Sequence, residues 1–338
     1  MAQSSSTSSS EPRRASRWPK AALWCVVGCL VVTGLCWAGV RGVGGTQGST
    51  VLLVGDSFTG NYRFAEGDRL QDLLADQLPS PWAARNFAWP GARTLDILMQ
   101  FHKAETLVGD VERVVLPLFV TKFNVGSNYI RLDKRGDTLK WLPWGEDFGR
   151  VYERLSTAER KALLIHQMGL LVGFYDLVEY LYVEHLQSPN ERAVMRRDPA
   201  HRRARINAKN ARRAANWDTY AGDVATVNES QAARDLELLV DTLAARQIPL
   251  LIIWLPVGNM DLVRETFTPR AQANLEAMRR QAHAWTKARG VETVDLVDRL
   301  PGAYYDDFTH LNQVAGNQVL VDAIKDWIAT PAPPGLRP

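Results

Sequence analysis

Short apolar runs alternating with stretches of helical spacing mark two parts of this chain. Val51-Leu52-Leu53-Val54 is continuously apolar and β-branched at both ends, the pattern of a strand buried on both faces. Leu70 to Leu78 has helical spacing, and Ala84 to Ala88 leads into the turn signal Trp89-Pro90-Gly91. A second helical stretch follows from Thr94, and Val114 to Phe119 reads as the next strand. Pro117 lacks the N–H that a central strand donates, which predicts a bulge or an early strand end there. The alternation resumes near the far end. Gln231 to Arg246 is helical and Ile248 to Leu255 is a fully apolar strand. Thr268 to Arg289 is a long helix stopped by Gly290, Val291 to Leu296 a short strand, and Val319 to Ile328 a terminal amphipathic helix. Such alternation predicts an α/β fold whose central parallel sheet is covered on both faces.

Residues 126–230 break the pattern and read as a helical insertion. Ser156-Thr157-Ala158-Glu159 is a capping box opening a long helix to about Gln187, apolar on most of its circumference. Asp176 and Glu179 near its middle argue against a membrane span, since an Asp costs roughly 2.5–3.5 kcal/mol at a membrane-helix centre. A buried lid helix or a surface that docks on a partner is expected instead. From Arg192 to Arg213 the chain is strongly basic, with Asp198 alone opposing. That stretch is either a solvated helical face or a contact for anionic lipid headgroups or a charged glycan. Trp141-Leu142-Pro143-Trp144 is an aromatic loop that serves either core packing or stacking against sugar rings.

Composition changes the picture at the N-terminus. Residues 1–20 are Ser-rich, expected to be a disordered cytoplasmic tail, and end in Arg13, Arg14, Arg17 and Lys20. Ala21 to Val40 then runs uncharged, long enough to span a bilayer core of roughly 30 Å. The positive cluster before it predicts a cytoplasmic N-terminus, with everything after residue 41 on the outer side of a cell membrane. A cleaved signal peptide has a shorter apolar region and an A-x-A-like site, for which Cys36-Trp37-Ala38 is a poor match. Val26-Val27-Gly28-Cys29 resembles a lipoprotein cleavage box, but the chain stays apolar beyond it. A retained single-pass anchor is therefore the expectation. Cys25, Cys29 and Cys36 all fall inside this segment, leaving the exported part without a thiol, disulfide or cysteine metal site. Residues 41–50 form a linker by composition, 51–330 the main domain, and 331–338 a tail. A formal charge of +3 is too small to imply a nucleic-acid partner.

The candidate chemistry lies at the two ends of the α/β part. Gly55-Asp56-Ser57-Phe58 follows the first strand, and Asp307-Phe308-Thr309-His310 precedes the terminal helix. A serine hydroxyl is a weak nucleophile that needs an adjacent base. His310 is placed to take its proton and return it to the leaving group, with Asp307 holding the other ring nitrogen. A developing oxyanion needs preorganised donors, for which the N–H of Ser57 and of Gly91 are candidates. His102, His166, His185, His201 and His283 show no spacing that suggests a metal, and no Gly-rich phosphate loop is present. No cofactor is required by this chemistry.

Gly55-Asp56-Ser57 after a strand, Asn86 to Gly91 about a strand later, and Asp307-x-x-His310 before a terminal helix resemble the SGNH (GDSL-type) hydrolases. The resemblance covers about 51–125 and 231–328. It implies a flavodoxin-like three-layer sandwich, Ser57 as nucleophile, Gly91 as a backbone oxyanion donor, and Asp307 with His310 as the base pair. The third family block departs from its usual Gly-x-Asn-Asp turn. This chain has Phe119-Val120-Thr121-Lys122-Phe123-Asn124, which leaves Asn124, Thr121 and Lys122 as rivals for the oxyanion position. With one membrane helix and an external domain, the chain also looks like the accessory proteins of cell-surface polysaccharide O-acylation. That likeness implies acyl transfer or hydrolysis on O-acyl esters of a polysaccharide, beside a multi-span membrane O-acyltransferase as partner. A stand-alone esterase or lipase, and a non-catalytic assembly protein that keeps the fold, are the alternatives.

Overall fold

Five parallel strands form one sheet in the order β2-β1-β3-β4-β5, with β1 at Thr50–Leu53, β2 at Ala83–Asn86, β3 at Val111–Phe119, β4 at Leu250–Leu255 and β5 at Glu292–Asp295. This is the flavodoxin-type doubly wound order. The computed structural model describes residues 49–61, 64–123, 141–143, 146–155, 157, 160, 163, 227–255, 260–305, 310–311 and 313–330. The anchor expected at 21–40, most of the helix expected from 156 to 187, and the basic stretch lie outside them. Among the described residues no helix is long and apolar enough to cross a membrane.

The apolar runs become the buried strands because both sheet faces are covered. Leu52, Val114, Leu116, Ile252 and Trp254 point into one core; Val51, Leu53, Val115, Leu251 and Ile253 point into the other. That is the period of two expected of strands. Eight helices are described: α1 (Ser57–Gly60), α2 (Leu70–Gln77), α3 (Thr94–Val108), α4 (Glu146–Arg154), α5 (Gln231–Ala245), α6 (Met260–Thr266), α7 (Pro269–Ala288) and α8 (Val314–Ala329). Helices α3, α5 and α7 line the first core, α2 and α8 the second. The starts of α5 and α7 follow ordinary capping chemistry. Ser230 accepts from the Ala233 N–H at 3.1 Å, and Thr268 accepts from the Ala271 N–H at 3.2 Å with Pro269 in the first turn.

Pro117 corrects the expectation of a bulge or early end. β3 runs through it in unbroken register with β4, Leu116 opposite Ile252, Pro117 opposite Ile253, Leu118 opposite Trp254. The reason lies on the other side. Val115 accepts from the Val54 N–H at 3.1 Å, so residues of its parity turn their polar groups toward β1. Two residues later β1 has ended and the chain has turned at Gly55. The missing N–H of Pro117 therefore has no neighbour to disappoint.

Helix α4 lies within the helical insertion expected over residues 126–230, ahead of the capping box at Ser156. It docks on α3 and α5 through Asp147, which accepts from Thr242 at 3.0 Å and from Arg246 at 3.2 Å. Arg246 also pairs with Glu105 at 2.9 Å, and buried His102 lies 3.2 Å from Glu105. Trp141 and Leu142 are buried, with the Lys103 ammonium 5.3 Å from the Trp141 ring centre, so Trp141 serves the core rather than a sugar platform. Trp144 lies outside the described residues.

Candidate active site

In a doubly wound sheet, ligands bind beyond the carboxyl ends of the strands, at the point where strand order reverses. Here that point lies between β1 and β3. Gly55, Asp56 and Ser57 follow β1 directly, and a 3-10 turn at Val120–Phe123 follows β3.

The chain after β1 is forced into a sharp turn. Gly55 has φ +145°, and a Cβ there would collide with the Thr59 hydroxyl. Buried Gln100 of α3 holds the same peptide from behind: its carbonyl accepts from the Gly55 N–H at 2.7 Å and its amide donates to the Gly55 carbonyl at 2.8 Å. Asp56 caps α1, accepting from the Phe58 N–H at 2.9 Å, and leaves Ser57 as the first helical residue. First-turn N–H groups have no intrahelical acceptor, so the N–H of Ser57 starts out uncommitted to the helix. At the far end of α1, Asn61 donates to Asn317 of α8 at 3.1 Å, and Asn317 donates to the Asp68 carbonyl at 2.9 Å. The nucleophile candidate thus stands on a turn fastened by two other helices.

The histidine arrives from the opposite end of the chain. Tyr305 and Leu311 form an isolated antiparallel bridge that closes a loop with His310 at its end. Leu311 packs where a side chain on Gly316 would sit, within 2.9 Å of that position, which ties the loop to the first turn of α8. The outcome is a contact of 2.9 Å between the Ser57 Oγ and the His310 Nε2, across 253 residues of sequence. With the ring protonated at Nδ1, the hydroxyl donates and the imidazole accepts. Both residues are half-buried, so the pair is open to a ligand on one side.

The remaining predicted positions divide. Gly91, at φ +72° and exposed, lies in the turn after β2 and reaches the site through its neighbour Ala92. The Ala92 carbonyl accepts from Lys122 at 3.0 Å, and the same ammonium pairs with Asp56 at 2.8 Å. Of the three rivals for the third block, Lys122 therefore sits against the turn that carries Ser57, Thr121 is its neighbour in the 3-10 turn, and Asn124 lies outside the described residues. Asp307 also lies outside them, so its place against His310 is not described. Sequence reading missed Gln100 and Asn317 entirely. An amide inside a helix gives no signal of which backbone it will clasp.

Two further histidines have carboxylate partners that spacing alone did not show. His283 Nε2 lies 2.7 Å from Asp295, which Arg279 also grips at 2.8 Å, and His102 lies between Glu105 and Asp147. Among the described residues no group of His, Cys, Asp and Glu is arranged to hold a metal ion.

No family model matches the chain, and no curated protein matches it. Solved structures do show a distant likeness to GDSL-type lipases and esterases. A carbohydrate acetylesterase family member from Sinorhizobium meliloti is 12% identical, with a TM-score of 0.38 over 83% of this chain and 97% of that one. A GDSL-like lipase from Bacteroides thetaiotaomicron is 11% identical, with a TM-score of 0.36 over 82% and 87%. An aryl esterase from M. smegmatis is 14% identical, with a TM-score of 0.36 over 83% and 98%.

Proposed function

We propose that this protein is a serine acyl-ester enzyme working through a covalent acyl-enzyme on Ser57. One observation carries the reading: the 2.9 Å contact between Ser57 and His310 at the strand-order reversal of a doubly wound sheet. In the first half-reaction the Ser57 oxygen attacks the ester carbonyl while His310 takes the hydroxyl proton. Collapse of the tetrahedral intermediate breaks the bond to the alkoxy group, which leaves with that proton. In the second, water or an acceptor hydroxyl gives its proton to His310 and attacks the acyl-enzyme, freeing Ser57. Asp307 is assigned to the Nδ1 side of the imidazole, and the N–H groups of Ser57 and Gly91, with Asn124, to the oxyanion.

The finer reading rests on sequence. The uncharged segment 21–40 and the positive cluster before it favour a membrane-held enzyme with its catalytic domain on the outer face. The resemblance to O-acylation accessory proteins favours O-acyl esters of acetyl size on a cell-surface polysaccharide, and a multi-span membrane O-acyltransferase as partner. The test uses the full chain in mild detergent with p-nitrophenyl acetate, wild type beside Ser57→Ala. Nitrophenolate release that the substitution abolishes supports the reading; equal release from both overturns it. A burst that stalls until a glycan acceptor is added assigns transfer, whereas steady turnover in water assigns hydrolysis.

A further inference from the structure

Lys122 joins the two turns that face each other across the strand-order reversal. Its ammonium pairs with Asp56, the cap of the nucleophile turn, at 2.8 Å, and donates to the Ala92 carbonyl, one residue past Gly91, at 3.0 Å. Both charged side chains are largely sheltered, Lys122 at 22% and Asp56 at 14% exposure. The lysine is itself held firmly. The next residue, Phe123, is buried between Trp254 and Trp285, with ring centres 5.9 and 6.3 Å away. The 3-10 turn is thus anchored in the core while its cation reaches outward into the site.

A sheltered ion pair adds little net stability over an apolar replacement, although removing one partner alone strands the other's charge. Its location gives it a different significance. The carboxylate of Asp56 is adjacent to the nucleophile, and an uncompensated negative charge there opposes the anion that forms on the carbonyl oxygen. The Ala92 carbonyl belongs to the turn that presents Gly91. One ammonium therefore cancels the wrong-signed charge and sets the separation of the two backbones that face the reacting carbonyl.

We propose that Lys122 is a positioning residue of the acyl-transfer reaction, spacing the Ser57 and Gly91 turns and neutralising Asp56. This rests on the serine-enzyme reading above. It places a cation where the third block departs from an Asn-bearing turn, so the oxyanion region is organised by charge from behind.

The test measures kcat, KM and the pH–rate profile with p-nitrophenyl acetate. The full chain is compared with Lys122→Met, Lys122→Arg, Asp56→Asn and the double variant Asp56→Asn/Lys122→Met, with Ser57→Ala as the blank. Asn caps a helix about as well as Asp, so the cap survives in the double variant. Lys122→Met is expected to lose about 10- to 100-fold in kcat with KM changed less than about 3-fold. The acid limb of its rate profile should move to higher pH, because the bare carboxylate favours the imidazolium. Lys122→Arg should retain most of the rate. The double variant should recover part of the loss and return the acid limb to its wild-type position. Lys122→Met with wild-type kcat and an unmoved limb, while Ser57→Ala is inactive, overturns the proposal alone. A double variant no better than Lys122→Met overturns the charge argument. Wild-type release no greater than that of Ser57→Ala overturns the serine reading, and this proposal with it.

Discussion

Strand β3 has a cation near each end, and the two are put to different use. Arg113 near its start is 9% exposed and lies between Trp82 and Trp327, with ring centres 5.3 and 4.8 Å from the guanidinium carbon. It donates to the Trp327 carbonyl at 2.9 Å and the Thr330 carbonyl at 3.4 Å, satisfying acceptors that the end of α8 leaves over. Burial pushes its pKa below the usual arginine value, against the raising influence of Glu292 and Glu112. Lys122, just past the other end, bonds a carbonyl too, but also a carboxylate beside the candidate nucleophile. A buried guanidinium between flat aromatic walls, bonded to backbone carbonyls, is a staple. A compact ammonium at the strand-order reversal is placed to act on charge.

Breaking each cation in turn sharpens the contrast. Arg113→Met strands two carbonyls, and we expect a stability loss of about 3 kcal/mol by urea unfolding, with kcat per folded molecule unchanged. Lys122→Met should invert the pattern, with kcat per folded molecule reduced and a urea midpoint shifted less than in Arg113→Met, because Lys122 and Asp56 keep more exposure than Arg113. Matching losses of stability and rate in both variants would erase the distinction. Next in size is Gly55→Ala, which forces a Cβ into the Thr59 hydroxyl at a positive φ; we expect about 2 kcal/mol of destabilisation. Its residual kcat should fall as well, since Ser57 is two residues on. Wild-type stability in that variant would show that the turn relaxes.

Smallest is Tyr305→Phe. The Tyr305 hydroxyl is buried without a hydrogen-bond partner among the described residues, and burial raises its pKa well above the ordinary tyrosine value. The folded protein therefore holds a proton that the unfolded chain loses above about pH 10. Stability that Tyr305 permits below that pH falls as pH rises through it toward the folded-state value. The phenylalanine variant should differ from wild type by less than about 1 kcal/mol at pH 7. It should lack the tyrosine's share of the alkaline decline, read as urea midpoints at pH 8 and pH 10.5. Equal slopes in the two proteins would count against burial as the cause.

Legibility from sequence followed the length scale of the forces. Continuous apolar runs gave β1 and β4 within two residues, because burial on both faces leaves no polar position to blur them. α8 proved longer than its amphipathic core, starting at Val314, since its first turn serves the histidine loop rather than the apolar face. Pro117 was misjudged because its tolerance depends on how far β1 extends, a property of another segment. Ser57 and His310 were legible as a pair since each sits at a strand or helix boundary within a motif. Lys122 was legible as a position but not as a bridge, and Gln100 not at all. Side chains that bond to remote backbone are chosen by the packing of two helices against the sheet, which leaves no period in the sequence.

The 253-residue gap between Ser57 and His310 also has a meaning in time. At about 5–20 residues per second of synthesis, roughly 13–50 s pass between the making of the serine and the making of the histidine it contacts. On the proposed reading the hydroxyl stays an ordinary alcohol throughout that interval, whatever esters surround the emerging chain. On the proposed reading the pair comes into being only when the segment carrying His310 has been made and has docked beside Ser57. The docking of that segment and the start of the proposed chemistry are thus a single event.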